Sequence, residues 1–386
     1  MAIKRHNKRL RVLLLLIIAA IIIAPTLGAI VFLLAQISGQ NTQTQRLVFL
    51  MREGRGSEAF WSVNPAHPEV QRHIHEVNGI PFEFDISPDG EFIVYSMRPF
   101  DGLYEDLYLL DAESGDSTRL TDCAQTAADC SAPVIHPDAR WVAYQRIEVD
   151  PNGDAGNSRI WLLDVQDAAA ASPLMDDPQS YGRAPIWSPD GNRLAFYDPR
   201  AEGIVVYDFD TRNAPEGPTV QFVLAGYGTT GTFSPDGALL IYPEIFVLEQ
   251  GPTRAYLQIA DLERDLTLAF SDPGAGESDE YARWSPDGRY VAIGRTFAEG
   301  GGGQAQVYLW DTQTESVVPL VRDPQYNHSA MRWSPDSAYL ALMRVPQANP
   351  LLEGGGTSQP EVWVYEMATG ELLQVAEDAR LPQWLP

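Results

Sequence analysis

Short apolar segments separated by one recurring turn motif fill most of the chain. Residues 282–295, ARWSPDGRYVAIGR, contain an apolar segment, a four-residue turn and a second apolar segment. Related tetrapeptides begin at Ser87, His136, Ser188, Ser234, Ser285 and Ser334, in steps of 49, 52, 46, 51 and 49 residues. A period of this length is typical of propeller blades or solenoid units.

Each period predicts four strands. The segments on either side of the turn are followed by a third apolar segment, such as VYLWD at 307–311, and then by a short turn and a fourth segment. These segments are rich in β-branched and aromatic residues, which favour strands. No convincing helical pattern occurs after residue 45. We therefore predict an all-β fold of four-stranded antiparallel blades, as in a β-propeller.

The two ends of the repeat region predict the number of blades. LPQWLP at 381–386 aligns with APIWSP at 184–189, so Trp384 takes the place of Trp187. Three apolar segments from Arg46 onward look like the second, third and fourth strands of a blade that lacks its first. The last strand of the chain can supply that missing strand. We predict a seven-bladed propeller over 46–386, closed by its C-terminal strand.

The Ser-Pro-Asp-Gly tetrapeptide has the composition of a hairpin turn. Proline presets φ near −65°, Asp tolerates the third position, and Gly adopts positive φ before the next strand. We therefore interpret the six Ser or His and Asp pairs as turn residues and not as nucleophiles or metal ligands. Ala139 and Ser337 replace the Gly in two copies, which predicts modified turns in those blades.

The repeats resemble the PD-type, WD-like β-propeller repeats of the TolB family. The mark of that family is a Trp/Phe-Ser-Pro-Asp-Gly turn followed by an apolar strand, and the resemblance covers about residues 46–386. Six copies and a closing strand make it specific for the fold. It implies little about activity, because this fold hosts many unrelated functions.

The N-terminus predicts a membrane anchor. Residues 12–37 carry no charge over 26 positions, and a helix of that length spans about 39 Å against roughly 30 Å of bilayer hydrocarbon. The positive-inside rule then predicts a cytoplasmic tail at 1–11, a transmembrane signal-anchor at 12–37, a linker at 38–45 and an extracytoplasmic propeller. The tail carries Lys4, Arg5, Lys8, Arg9 and Arg11. A cleaved signal peptide is the alternative, although its apolar core is usually shorter.

The charge balance excludes one class of partner. The chain has 27 basic and 52 acidic residues, a net charge of −25, so it repels the phosphate backbone of nucleic acid. It also lacks a polybasic surface for anionic lipid, so any membrane contact should come from the anchor. We expect no nucleic-acid partner.

Cys123 and Cys130 are the two cysteines of the chain. In an oxidising exterior they can pair, and closing so short a loop stabilises the fold by about 2 to 3 kcal/mol. We predict this disulfide, with a free pair of buried thiols as the alternative.

One face of the predicted propeller has the longer connections. The second-to-third and fourth-to-first connections share this face, which we call the long-loop face, and variable loops commonly carry binding functions. The fourth-to-first connections place aromatic and basic residues near the mouth of the central channel. We predict a binding rim of Tyr181, Arg183, Tyr227, Tyr281, Arg283, Tyr326, His328 and Arg332. Packing between blades is the alternative role for each of them.

These features predict a membrane-anchored binding scaffold for a protein, a peptide or an envelope glycan. The chain has no Gly-x-Ser-x-Gly motif, which a hydrolase domain of the dipeptidyl-peptidase type would require. We expect no catalytic residue, metal site or cofactor. Two alternatives stay open: a propeller lyase or hydrolase with its active site at the channel mouth, because such a site leaves no local motif, and an envelope sensor.

Overall fold

The computed structural model describes residues 45–54, 56–150, 152–211, 218–247, 254–272, 276–297, 303–347 and 359–386. These residues form seven four-stranded antiparallel sheets, which confirms the predicted propeller. The predicted tail, the membrane segment and all but the last residue of the linker lie outside the described residues. In the described ranges, no helix is long and apolar enough to cross a membrane.

The first three blades contain strands β1 to β11 and the closing strand β28. Blade 1 consists of β28 (Ala379–Leu385), β1 (Arg46–Glu53), β2 (Ser57–Val63) and β3 (Gln71–Val77). Blade 2 consists of β4 (Ile80–Ile86), β5 (Phe92–Arg98), β6 (Asp106–Asp111) and β7 (Ser117–Arg119). Blade 3 consists of β8 (Ala128–Ile135), β9 (Trp141–Val149), β10 (Ala155–Asp164) and β11 (Asp167–Pro173).

The remaining four blades follow in chain order. Blade 4 consists of β12 (Arg183–Trp187), β13 (Arg193–Asp198), β14 (Gly203–Asp208) and β15 (Val220–Leu224). Blade 5 consists of β16 (Thr232–Phe233), β17 (Leu239–Phe246), β18 (Arg254–Asp261) and β19 (Leu266–Ala269). Blade 6 consists of β20 (Glu277–Trp284), β21 (Tyr290–Phe297), β22 (Gln306–Asp311) and β23 (Ser316–Val321). Blade 7 consists of β24 (Tyr326–Trp333), β25 (Tyr339–Pro346), β26 (Glu361–Glu366) and β27 (Leu372–Glu377).

The hydrophobic core lies between neighbouring blades. Val48 and Leu50 of blade 1, for example, pack with Phe84 and Ile93 of blade 2, and all four side chains are buried. Equivalent clusters join the other blades. Each sheet therefore buries both faces, which accounts for the nearly continuous apolar character of its central strands.

The C-terminal strand closes the ring as predicted. β28 pairs antiparallel with β1, with Trp384 opposite Leu47 and Gln383 opposite Val48. The Trp384 side chain is buried between blades 1 and 7, and its Nε1 donates to the backbone oxygen of Arg332 at 3.0 Å. The first blade is thus built from both ends of the described chain.

The turn serines have the structural role that we predicted. Ser87 Oγ donates to Asp89 Oδ1 at 2.6 Å and accepts from the backbone nitrogen of Phe92 at 3.0 Å. The same pair of hydrogen bonds recurs at Ser188, Ser234, Ser285 and Ser334. Because these hydroxyl groups are buried and occupied by the turn, they are not available as nucleophiles.

The expectation of modified turns at Ala139 and Ser337 is wrong. Their φ values are 60° and 61°, close to the 74° of Gly90 in the regular turn. Both amides also donate to the first residue of their turn at 2.9 Å, as the Gly amides do. The rest of the turn therefore holds a non-glycine residue in the left-handed region, in spite of the steric cost.

The structure pairs Cys123 with Cys130 in a disulfide whose Cα atoms are 6.0 Å apart. A short 3-10 helix, Cys123–Thr126, forms part of the enclosed loop. Both cysteines are buried between blades 2 and 3, next to Leu107 and Ile135. The disulfide thus links the connection after blade 2 to the innermost strand of blade 3.

Candidate functional site

The innermost strands of the seven blades surround the central channel. They are β28, β4, β8, β12, β16, β20 and β24, each at the inner end of its sheet. Two positions before the turn, every one of these strands carries a partly exposed residue with at least one buried neighbour in the sequence. We call these seven residues the channel ring: Gln383, Asp85, Val134, Ile186, Thr232, Arg283 and Arg332.

The channel ring is polar on one side. Arg283, Arg332, Gln383 and Asp85 lie on the consecutive blades 6, 7, 1 and 2. Val134, Ile186 and Thr232 complete the ring on blades 3, 4 and 5. A ligand in the channel therefore meets two guanidinium groups, an amide and a carboxyl group on one side and largely apolar side chains on the other.

The two arginines of the ring are electrostatically linked. Each Nη1 donates at 2.9 Å to the backbone oxygen of the residue before it, Ala282 or Met331. Burial and the charge of Arg332 lower the pKa of Arg283 to about 9, and burial lowers the pKa of Arg332. Guanidinium groups keep their proton in proteins, so the wall of the channel contains two adjacent positive charges.

Gln383 and Asp85 tie neighbouring inner strands together. Gln383 Nε2 donates to the backbone oxygen of Phe84 at 2.5 Å, and Asp85 Oδ2 accepts from the backbone nitrogen of Ile135 at 2.8 Å. Burial raises the pKa of Asp85, while hydrogen bonds from the backbone and the charge of Arg332 act in the opposite direction. These two polar side chains therefore have defined structural partners in addition to their position on the channel.

Blade 5 leaves a recess in the channel wall. Its innermost strand β16 has two residues, so the chain before it does not fill the space between β12 and β20. A cavity of about 180 Å³ lies there, and its lining includes Thr229, Glu280, Tyr281 and Arg283. Burial raises the pKa of Glu280. The recess thus combines hydroxyl, carboxyl and guanidinium groups.

Three of the eight predicted rim residues are accessible at the channel mouth. Arg183 is exposed, with its guanidinium 5.0 Å from the ring centroid of Tyr197. Tyr181 is partly exposed and lies beneath Arg200 at 5.6 Å. Tyr227 is 38% exposed, and its pKa is raised by burial and by Glu280, which places it next to the recess.

Three other predicted rim residues have packing contacts: Tyr281 and His328 between blades 6 and 7, and Tyr326 within blade 7. Tyr281 OH donates to the backbone oxygen of His328. His328 is fully buried with Nδ1 2.9 Å from the oxygen of Ala305, and burial lowers its pKa. The ring of Tyr326 is covered by the guanidinium of Arg344 at 3.8 Å. These contacts correspond to the packing role that we considered as the alternative, and they leave Arg283 and Arg332 in the channel ring.

Sequence reasoning missed several of the residues that line the channel. Asp85, Gln383, Thr229 and Glu280 were not predicted, although the repeat contained the necessary signal for the first two. The position two residues before each turn is fixed by the alignment, and reading it across all blades gives the channel ring. Among the described residues, no group of three or more His, Cys, Asp or Glu could hold a metal ion.

Comparisons with known proteins support the fold and leave the activity undefined. No family model matches the chain. The uncharacterized protein YidR of Escherichia coli strain K12 is 27% identical over 104 residues, which cover 27% of this chain and 24% of that protein. The match thus spans about a quarter of the length of that relative.

Several solved structures are similar to this chain. The β-propeller domain of the Trilobed protease from Pyrococcus furiosus has a TM-score of 0.58 at 14% identity, covering 86% of this chain and 92% of that chain. An oligogalacturonate lyase in complex with manganese has a TM-score of 0.55 at 15% identity, covering 86% of this chain and 84% of that chain. TolB from Acinetobacter baumannii has a TM-score of 0.46 at 14% identity, covering 88% of this chain and 66% of that chain.

The protease domain is described as having an open velcro topology, whereas β28 pairs with β1 in this chain. At these identities the similarity concerns the fold alone, and the resemblance to TolB repeats continues to rest on the turn motif. The chain is a closed seven-bladed β-propeller.

Proposed function

We propose that this protein is a membrane-anchored, extracytoplasmic TolB-like propeller that binds a protein, peptide or envelope component through its long-loop face. One observation carries the proposal. Arg183 and Tyr227 are exposed, and Ala184, which follows Arg183, lines a recess together with the channel arginine Arg283. Aromatic residues and arginine beside a cavity are typical of binding sites.

The opposite face offers less for recognition. It is formed largely by the regular turns, whose serine and aspartate side chains are occupied by hydrogen bonds within the turn. By contrast, Phe100 and Leu103 in the connection between β5 and β6 are 58% and 80% exposed on the long-loop face. Exposed apolar side chains of this size favour a macromolecular partner on that face.

A channel enzyme is the second candidate function. The observation that favours it is the presence of two carboxyl groups with a raised pKa, Asp85 and Glu280, in the same channel as Arg283. Perturbed carboxyl groups beside cationic groups are frequent in active sites. A lyase or hydrolase of this kind would convert its ligand, whereas a binding scaffold or an envelope sensor would retain it unchanged.

A binding screen tests the proposed function. The full chain in non-ionic detergent is applied to peptide and glycan arrays and to envelope extract, together with a variant carrying Arg183→Ala and Tyr227→Ala. The matched control carries Arg264→Ala and Phe222→Ala, because Arg264 is exposed on a third-to-fourth turn and Phe222 on an outer strand. We expect the rim variant to bind about tenfold more weakly and the control to bind like the wild type.

The possible outcomes separate the candidates. Equal affinity of the folded rim variant and the wild type would refute a binding site on the long-loop face. Conversion of an arrayed peptide or glycan by the wild type, lost on Glu280→Gln or Asp85→Asn, would establish the enzyme in place of the scaffold.

A further inference from the structure

We propose that Arg283 and Arg332 form an anion-binding site. It would hold a carboxylate or phosphate group of a ligand that enters the channel from the long-loop face. The inference rests on the proposed binding function and specifies its chemistry. It assigns the strongest ligand contact to the channel wall and not to the exposed rim.

The two arginines are held side by side by the fold. They occupy the same ring position on adjacent inner strands, β20 and β24. Trp333, next to Arg332, donates its Nε1 to the backbone oxygen of Arg283 at 3.0 Å. This hydrogen bond joins the two strands, and the charge of Arg332 acts on Arg283, so in the proposed site one ligand group would contact both guanidinium groups. Two arginines offer several N–H donors in a planar arrangement that suits carboxylate and phosphate oxygens.

Several other enclosed arginines in the described ranges have a carboxylate partner within ion-pair distance, and this pair does not. Across the described ranges, no carboxylate oxygen lies within the 4.0 Å ion-pair distance of Arg283 or Arg332, although such pairs form at many other arginines. Examples of enclosed pairs are Arg295 with Asp279 at 2.7 Å, Arg344 with Asp323 at 2.6 Å and Arg380 with Glu58 at 2.7 Å. Two neighbouring cations without a counter-charge are unfavourable, so an anionic ligand would supply the missing partner.

The surrounding acidic groups do not fill this role. Asp85 is attracted by Arg332, but its carboxylate accepts a hydrogen bond from the backbone nitrogen of Ile135 on the neighbouring blade 3. Glu280 lines the recess beside Arg283, and burial raises its pKa. The neighbouring phenols, Tyr227 and Tyr281, also have a raised pKa and are neutral at physiological pH. The charge of Asp85 attracts Arg332 without forming an ion pair, so the two guanidinium groups have no carboxylate in direct contact.

The recess provides a path and space for the ligand group. Arg283 is part of its lining, together with the backbone and side chains of Thr229 and Thr230. A volume of about 180 Å³ corresponds to roughly six water molecules at about 30 Å³ each. It therefore accommodates a carboxylate or phosphate group with a few attached atoms, while the remainder of the ligand extends toward Tyr227 at the mouth.

Thermal unfolding with defined anions tests the proposed anion-binding site. The full chain in non-ionic detergent is melted in citrate, in inorganic phosphate and in chloride of equal ionic strength. We expect citrate or phosphate to raise Tm by about 2 °C or more above chloride, because a ligand that binds the folded state stabilises it. Citrate alone would indicate a carboxylate ligand, and phosphate alone a phosphate ligand.

Substitutions assign the effect to the two arginines. Arg283→Gln and Arg332→Gln should each abolish the anion-dependent shift, while the control Arg264→Gln on the opposite face should retain it. In chloride, Arg283→Gln should itself raise Tm by about 2 °C, because it removes the repulsion within the pair. If a glutamine variant does not fold, Arg283→Lys replaces it, and we expect that variant to keep less than half of the shift.

Two results would contradict the proposed anion-binding site. One is the absence of stabilisation by both anions, and the other is a shift that survives in both glutamine variants. If the anions have no effect but ligand binding on the arrays still depends on Arg183 and Tyr227, the anion-binding site is refuted and the proposed scaffold function is retained.

Discussion

Polar side chains near the channel make a few repeated contacts. The turn serine forms hydrogen bonds within its own turn, and in blades 1, 4 and 7 a tryptophan at the end of the innermost strand donates to the preceding blade. Trp187, Trp333 and Trp384 donate to the backbone oxygens of Val134, Arg283 and Arg332 at 3.2, 3.0 and 3.0 Å. These acceptors are all members of the channel ring. The same contacts that join the blades therefore position the side chains that face the channel.

The left-handed backbone at Ala139 gives a direct test of turn strain. Ala139→Gly should increase the free energy of unfolding by about 0.5 kcal/mol, because glycine avoids the steric cost of positive φ and loses part of that gain as chain entropy. Urea unfolding measures the change, with Ala201→Gly on the surface as the control. A destabilised Ala139→Gly protein would show that the alanine side chain contributes more through packing than it costs in strain.

The raised pKa of Glu105 predicts that the stability of the protein depends on pH. Burial, with a contribution from Asp129, raises its pKa from 4.5 to about 7. The folded state then binds this proton more tightly than the unfolded state, so stability falls as pH rises from about 4.5 to 7. Because Glu105 is partly exposed, we expect Glu105→Gln to stabilise the protein by only about 1 kcal/mol at pH 8 and by little at pH 4.5.

Urea unfolding at the two pH values measures this difference, and the exposed residue Glu91 provides the control variant Glu91→Gln. An equal effect of Glu105→Gln at pH 8 and pH 4.5 would contradict the pKa shift, because the substitution would then act through packing and not through protonation.

The repeated turn motif predicted the strands around it with little ambiguity, because proline and positive φ restrict the backbone locally. The site was less accessible to sequence reasoning. Tyr281 and Arg283 are two positions apart, yet the hydroxyl of Tyr281 bonds to the next blade while Arg283 stays in the channel. Strand alternation places both side chains on the same face of β20, so only the contacts with the neighbouring sheet distinguish their roles.

The closing strand β28 and the short strand β16 determine the character of the ring. β28 joins the ends of the domain through pairing with β1 and through the buried side chain of Trp384. β16 has only two residues, and Gly228 and Gly231 in the segment before it have positive φ. The resulting gap in blade 5 forms the recess, so an irregular element creates the cavity.

Deletion of residues 381–386 tests the closure. It removes Gln383 and Trp384 and leaves most of β1 with an unpaired edge, so we expect a loss of at least about 3 kcal/mol and aggregation through that edge. Thermal unfolding and light scattering measure both effects. Deletion of Pro386 alone is the control. An unchanged melting temperature after the longer deletion would show that the ring does not depend on its closing strand.

In the intact protein, the disulfide between Cys123 and Cys130 bears on the proposed location. Disulfides persist outside the reducing cytoplasm. We expect a thiol-alkylating reagent added to denatured cell extract to leave both cysteines unmodified unless a reductant is added first. A variant with Cys123→Ala should be labelled at Cys130 without reductant. Labelling of both cysteines in the unreduced wild type would place the propeller in a reducing compartment.

The proposed function requires that a ligand binds at the long-loop face and the channel. Hydrogen–deuterium exchange of the full chain with and without the ligand recovered from the arrays tests it most directly. We predict slower exchange in residues 225–231 and 277–284, which border the recess, and unchanged exchange in the turns at 188–191 and 285–288. Protection confined to those turns, or to the outer strands, would contradict the account.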